Sequence, residues 1–444
     1  METRPAAAHS TAVRRPPRWV LLTLLCLALV IRGRVMLANA ESLLKDPDAY
    51  GSVSWHIART HTIGLWRDDV GRMVPTATRP VLYPLLLSVF DFLPWKTDPY
   101  GYGWLHVLLG VGTVWSVWRL GQAWGLSIAE SLLAAGLITL DPILLGQSVQ
   151  LMTETLATFL ASVTLLALSR SARADAPWWE AALTGVLLGL CVLCRPTFLA
   201  WSILVTLLIA RRAGGGRKLA RAATLVCAAA AVVTPWAIRN QLLFGRPIIT
   251  TTHGGYTLLV ANNPGYYEFL RSAPWGSVWD AKEVYDAWRT RQDLIDTPGP
   301  VVIDEVAADR WAYRQAWENI RREPLMFIYA CAARSVQLWG IVPHQTSPNE
   351  STSRRGLRYA IGIGYALELA LAAAGVWFLG RKFWETPWIW GAGLIVSFAA
   401  VHAFYWTDLR MRAPLMVVVV LLAAHGVSSL ASPRQRSSAL HEAT

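Results

Sequence analysis

Apolar stretches recur along the chain at 19–37, 103–120, 127–145, 153–169, 179–193, 197–210, 219–238, 360–379, 388–406 and 414–430, most of them separated by short polar or basic connections, with two long segments after 37 and after 238. A helix rising about 1.5 Å per residue needs about 20 residues to cross a hydrocarbon core of about 30 Å. The pattern predicts an all-α polytopic membrane protein with about 10 transmembrane helices. Two further runs, 79–95 and 324–342, are ambiguous. The first is short and holds Asp91 and three prolines; the second holds Arg334.

Charge placement resolves both runs. Arg14, Arg15 and Arg18 precede the first helix and put the N-terminus in the cytoplasm, and the basic connections at 169–175 and 211–221 belong on the same side. If 79–95 spanned, both connections would face outward. It therefore reads as a juxtamembrane or re-entrant helix on the outer face, as does 324–342, which keeps the C-terminal "SPRQRS" inside. Three units follow: 1–238, an N-terminal transmembrane module with an outer first loop at 40–101; 239–358, an outer lid with an interfacial helix; and 359–444, C-terminal transmembrane helices with a short cytoplasmic tail. In the lid, 302–324 has Val306, Trp311, Ala316 and Ile320 at helical spacing and stops at Pro324.

Composition agrees. The chain is 54% hydrophobic and 16% charged, against about 25% charged in soluble domains. Its 23 tryptophans suit interfacial belts, and the net charge of +12 is a topology signal because the arginines gather at helix ends. The first run, with Arg32 and Arg34 near its end, reads as a retained helix and not as a cleaved signal. Cys191 and Cys194 form a C-x-x-C inside a membrane helix with no second pair, which favours packing over metal or redox use. No phosphate-cradling glycine motif is present, and the glycine run at 213–216 reads as a basic turn. His253 and His402 lack metal spacing.

Chemistry-bearing residues gather in the first outer loop, "KDPDAYGSVSWHIARTHTIG", and in "PTATRPVLYP" at 75–84. The order D-x-x-x-Y, A-x-x-x-x-x-G, P-T-A-x-R-P-x-x-Y-P resembles the C-type membrane glycosyltransferase superfamily. More narrowly, it is similar to the bacterial dolichyl-phosphate-mannose protein mannosyltransferase and aminoarabinose transferase-like family. "LMTETLATFL" at 151–160, "VLCRPTFLAW" at 192–201, "TPWAIRNQLLFGRP" from 234 and "WTDLRMRAPL" at 406–415 continue the resemblance in order. Where many relatives carry Asp-Glu in the first motif, this chain has Asp46-Pro47 with Asp48 beyond; where many carry a lysine in the interfacial helix, it has Arg334.

The resemblance implies a C-type fold and an integral-membrane transferase on the extracytoplasmic face of the inner (plasma) membrane. It implies a sugar donor on a polyprenyl phosphate and an acceptor hydroxyl on a lipid, glycan or protein. Such chemistry needs a carboxylate to take the acceptor proton and cations to hold the phosphate leaving group, a task suited to the planar guanidinium. The implied catalytic residues are Asp46, as base, with Asp48 and Glu154. The implied substrate-binding residues are Tyr50, Arg79, Tyr83, Arg334, Arg410 and Arg412. No cofactor is expected; some C-type enzymes use a divalent ion, but no metal is expected here, and no nucleic acid.

Simpler roles compete for the same residues. Asp46 and Asp48 could cap a helix beginning near Tyr50, Glu154 could favour a helix dipole, and the arginines, with Arg239, could be interfacial anchors. The competing functions are a transporter or flippase of envelope precursors, for which no internal repeat is found, and a structural envelope subunit. A ligase using a pyrophosphate-linked glycan is a further enzymatic alternative.

Overall fold

The computed structural model describes residues 18–431 except 69–70, 93–98, 174, 212–215, 275, 293, 296–301 and 346–349. Arg14, Arg15, the "SPRQRS" tail, the end of the 79–95 run and most of the 213–216 glycine run lie outside the described residues. The first half of the chain forms α1 (Arg18–Ala38), α2 (Tyr50–Thr60), α3 (Leu82–Asp91), α4 (Tyr100–Ala123), α5 (Ile128–Leu140), α6 (Pro142–Gln147), α7 (Glu154–Ser171), α8 (Trp178–Cys194), α9 (Phe198–Arg211) and α10 (Gly216–Phe244). A cap follows, made of α11 (Gly254–Ala261), α12 (Pro264–Ser272), α13 (Lys282–Arg289), α14 (Glu305–Arg322) and α15 (Pro324–Leu338). The chain closes with α16 (Thr352–Leu379), α17 (Ile389–Phe404) and α18 (Met416–Ala431).

Among the described residues, four helical segments are long and apolar enough to cross a membrane: Trp19–Ala38, Leu219–Phe244, Thr352–Trp384 and Leu409–Ala431. Helices also form over the other apolar runs, several of them shorter than 18 residues. α3 has 10 residues, about 15 Å of rise, and packs beneath α2, where Asp91 accepts from Ser54 Oγ and from Tyr102 Oη at 2.5 Å. It is too short to span alone.

Two short antiparallel hairpins depart from the all-helical expectation: β1 (Gly64–Arg67) with β2 (Arg72–Pro75), and β3 (Leu294–Ile295) with β4 (Val302–Ile303). Four-residue strands are too brief to show a period, and the first turn relies on Gly71 in the left-handed region. α10 continues past Ile238 to Phe244, so Arg239 lies within a helix. α16 begins at Thr352, where the Ser351 hydroxyl caps Arg354 N.

The bundle centres on α7 and α18, which bury most of their residues on all sides. α4 and α8 flank α7, and α5 and α16 flank α18. α8 and α10 meet closely because Gly185 has no side chain: a Cβ there would come 2.2 Å from Leu225 O. In the cap, the buried face of α14 consists of Glu305, Ala308, Ala312, Ala316 and Ile320, with Val306 and Trp311 only half-buried. Small residues face α11 because the two cap helices lie close together.

Candidate active site

The segment between α1 and α2 passes through a short 3-10 turn at Ala40–Leu44 and delivers Asp46 to the start of α2. Asp46 Oδ2 accepts from Ser52 N at 2.8 Å, satisfying an amide of the first helical turn that has no partner within the helix. Its other oxygen, Oδ1, is buried without a hydrogen-bond partner. Gly51 permits this fold: a Cβ there would sit 2.7 Å from a Leu151 methyl and 3.3 Å from Asp46 Oδ2. The capping position itself is Ala49, in the left-handed region, and Asp48 does not cap. Asp48 Oδ1 instead pairs with Arg79 Nη2 at 2.8 Å, with both side chains partly exposed.

Arg79 also lies 5.8 Å from the centroid of Tyr50, whose ring meets Tyr83 edge-on at 5.2 Å. Tyr50 is within electrostatic reach of Asp48, Glu154 and Arg195; Tyr83 is within reach of Asp46 and Glu154. The two buried tyrosines are therefore the wall joining the carboxylates. Tyr83 Oη meets His106 Nε2 at 2.8 Å, and His106 Nδ1 lies 3.0 Å from Ser148 O. The carbonyl can only accept, which assigns the imidazole proton to Nδ1 and makes the tyrosine the donor. The Tyr83 hydroxyl proton is thus committed inside the wall.

Glu154 opens α7 and is buried, so the bare helix-dipole reading does not account for it. Arg195, in the turn after α8, places Nη1 at 3.3 Å from its Oε1, and Arg410 places Nε at 3.8 Å from the same oxygen. Neither approach has hydrogen-bond geometry: Glu154 Oε2, Arg195 Nη1 and Arg410 Nε are all buried without hydrogen-bond partners. Arg410, in the 3-10 turn Leu409–Leu415, also feels the charges of Asp408 and Asp48. Asp46, Asp48, Glu154, Tyr50, Arg79, Tyr83 and Arg410 therefore gather in one place. Arg195 joins them; it lies in the R-P step of the sequence but was not marked by any local spacing to its carboxylate.

Two expected phosphate ligands lie apart from this group in their contacts. Arg334 is fully buried; it donates to Ala403 O at 2.7 Å, Ala261 O at 2.5 Å and Asn262 Oδ1 at 3.3 Å. Those carbonyls belong to the last turns of α17 and α11, where the helix leaves acceptors unpaired. Arg412, also fully buried, donates to Gly340 O just beyond α15 and stacks 4.5 Å from the Tyr365 centroid. Its charged neighbours are Asp141 and Glu368, not Asp46 or Glu154. Arg239 donates to Thr76 O at 2.9 Å and Ile63 O at 2.7 Å, bracing the loop beneath Arg79.

A cavity of about 540 Å³ opens between α12, α15 and the start of α16, with Leu409, Trp339, Tyr329 and Arg358 in its wall; none of the carboxylates gathered above lines it. Among the described residues no cluster of His, Cys, Asp and Glu could hold a metal ion. The site's chemistry rests on carboxylates, guanidinium groups and an aromatic wall.

No known family description and no curated protein sequence matches this chain. Solved structures do share its architecture. The oligosaccharyltransferase of Archaeoglobus fulgidus, in complex with zinc and sulfate, aligns with 95% of this chain and 51% of its own at 15% identity and a TM-score of 0.51. Its apo form aligns with 95% and 52% at the same identity and score. ArnT from Cupriavidus metallidurans bound to undecaprenyl phosphate aligns with 94% of this chain and 79% of its own, at 15% identity and a TM-score of 0.43. The chain spans about half the length of the oligosaccharyltransferases. At this identity the likeness establishes the fold alone, an architecture shared with the archaeal oligosaccharyltransferase.

Proposed function

We propose that this protein is an integral-membrane glycosyltransferase that moves a sugar from a polyprenyl-phosphate donor to an acceptor hydroxyl, with its active site on the extracytoplasmic face. The observation that carries this reading is the placement of Asp46: one oxygen is held by Ser52 N, and the other is buried with no hydrogen-bond partner among the described residues. In the reaction the acceptor oxygen attacks the anomeric carbon, its proton passes to Asp46 Oδ1, and the bond from that carbon to the phosphate oxygen breaks. The departing lipid phosphate gains negative charge, and Arg410, Arg195 and Arg79 supply the compensating positive charge.

The neighbouring carboxylates are less suited to the base role because each faces a cation. Asp48 pairs with Arg79, and Glu154 is flanked by Arg195 and Arg410. We assign Asp48 and Glu154 to orienting those guanidinium groups. Arg334 and Arg412 are assigned to holding helix ends. We keep the units 1–238, 239–358 and 359–444 as a proposal, with the middle unit covering the acceptor side; α10 runs on to Phe244 and α16 begins at Thr352, so neither boundary falls at a helix end. No cofactor or metal enters the scheme.

The test is incubation of purified protein with a panel of polyprenyl-phosphate sugars and mass spectrometry of the lipid products. Release of free polyprenyl phosphate that requires Asp46 supports the reading. A panel left intact by wild-type protein with every acceptor class, or turnover equal in wild type and Asp46→Asn, would overturn it.

A further inference from the structure

Glu305 opens α14 in the cap, and it is a buried carboxylate outside the site described above. It is 1% exposed, and among the described residues no cation lies in hydrogen-bond contact with it. An acid in a first helical turn is ordinarily solvated, and a buried one is costly unless fully hydrogen-bonded. Four donors surround this one: the hydroxyls of Thr76, Thr78 at 2.9 Å and Thr252 at 2.8 Å, and the amide of Ala77 at 2.8 Å. Burial nevertheless pushes its pKa upward, against those hydrogen bonds.

Three of the donors belong to one strip of the first loop, which is held at each step. Thr76 N donates to Ile63 O at 3.0 Å, and Thr76 O accepts from Arg239 Nη1 at 2.9 Å. Ala77 N reaches Glu305, and Ala77 O accepts from Thr252 N at 3.1 Å. Thr78 N donates to Thr76 Oγ1 at 3.1 Å. The next residue is Arg79, the partner of Asp48. A loop needed only as a connection has water to satisfy these groups. Here two partners, Ile63 O and Thr76 Oγ1, lie within the loop, and the rest come from α10, from the 252 turn and from the cap.

We propose that Glu305 is a positioning residue for Arg79: the cap, through this one carboxylate, fixes the strip Thr76–Thr78 and thereby the guanidinium opposite Asp48. Glu305 touches neither donor nor acceptor and acts through Arg79. The inference rests on the glycosyl-transfer reading for the role of Arg79, but not for the existence of the clamp.

The experiment has two arms, both on the full-length protein. In the first, affinity for sugar-free polyprenyl monophosphate is measured for wild type, Glu305→Ala, Arg79→Ala and the double variant. Each single change should weaken binding by at least about 10-fold, as for loss of a hydrogen bond to a charged group. The double variant should be no weaker than the worse single one, and Glu305→Gln, which keeps an acceptor, should recover most of the loss. Multiplicative losses would overturn the inference, since a residue acting only on general stability does not share its effect with Arg79. The second arm needs no ligand. With the five native cysteines replaced, spin labels at Trp66→Cys and Arg310→Cys should give a narrow distance distribution that broadens in Glu305→Ala and narrows again in Glu305→Gln. An unchanged distribution in Glu305→Ala overturns the clamp. Should that variant fail to fold, Thr78→Val and Thr252→Val, each removing one donor, carry both arms with the same outcomes. A wild-type protein that does not bind the monophosphate refutes the functional reading and leaves the clamp to be decided by the distances.

Discussion

Glu154 and Arg195 face each other at 3.3 Å between the first turn of α7 and the turn after α8, with side-chain exposures of only 3% and 10%. Removing one partner of such a buried pair leaves an uncompensated charge, typically a loss of about 3–5 kcal/mol, whereas replacing both is often far milder. Arg195→Met and Glu154→Gln should each lower the thermal midpoint of the detergent-solubilised protein. The double variant should recover part of the loss. Additive destabilisation would mean that the two side chains do not depend on one another.

Asp46 and Asp48 are separated by one residue but have different surroundings, which makes them a controlled comparison. General-base contributions are typically about 100- to 10,000-fold. Asp46→Asn retains an acceptor for Ser52 N and should lower turnover by that order while the protein still binds donor. Asp48→Asn should act mainly on donor affinity, through a less constrained Arg79. A pre-steady-state assay separates the two effects. Inactivity of Asp48→Asn with normal turnover of Asp46→Asn would move the base two residues along.

The apolar runs were legible because helices need only local periodicity, and α3 stood apart from them by the shortness of its run, its prolines and Asp91. The site was legible where the residues follow one another, as in Asp46, Asp48 and Tyr50. Arg195 was harder to identify because its carboxylate lies on the preceding helix, with no spacing rule to connect them. Glu305 looked like one more charge on an amphipathic helix, since its four donors come from residues 76–78 and from Thr252. Arg334 shows the opposite case. Sequence marks a cation near the cap, but only the fold shows that the ends of α11 and α17 occupy its donors.

That contrast between arginines is measurable. A charge-assisted hydrogen bond contributes about 1.5–3 kcal/mol, or roughly 10- to 150-fold in affinity at about 1.4 kcal/mol per decade. Arg410→Ala should lose donor affinity on that scale with a small change in thermal midpoint. Arg334→Ala should do the reverse, lowering the midpoint and leaving donor affinity in the folded fraction near normal. Equal donor loss in both would return Arg334 to the phosphate site.

The proposed sidedness rests on the basic connections. In a cysteine-free background, Ser277→Cys in the exposed turn after α12 should react with impermeant reagents on intact cells. Lys382→Cys, exposed after α16, should react only after permeabilisation. The opposite pattern would invert the topology and remove the proposed donor from the active-site face.

Asp309 ties the cap's stability to pH. It accepts from Gly255 N at 2.7 Å across the α11–α14 contact. Burial pushes its pKa from 3.8 up to about 6; that amide opposes the shift, and the nearby charge of Glu305 adds to it. A folded-state pKa above the unfolded value means that the folded cap holds a proton which the unfolded chain has released. The advantage is full below about 4 and is lost as pH rises through about 6. A shift of about two units corresponds to roughly 3 kcal/mol at most, reduced because the side chain is partly exposed. Hydrogen exchange of the α11 and α14 amides, corrected for intrinsic rates, should therefore show less protection at pH 7.5 than at pH 5. Asp309→Asn keeps an acceptor for Gly255 N and removes this titration, so the pH dependence of its protection should shrink to what Glu305, also pushed upward by burial, contributes. A wild-type cap whose protection is already flat would show that Asp309 is charged in the folded state throughout, and that burial does not govern it.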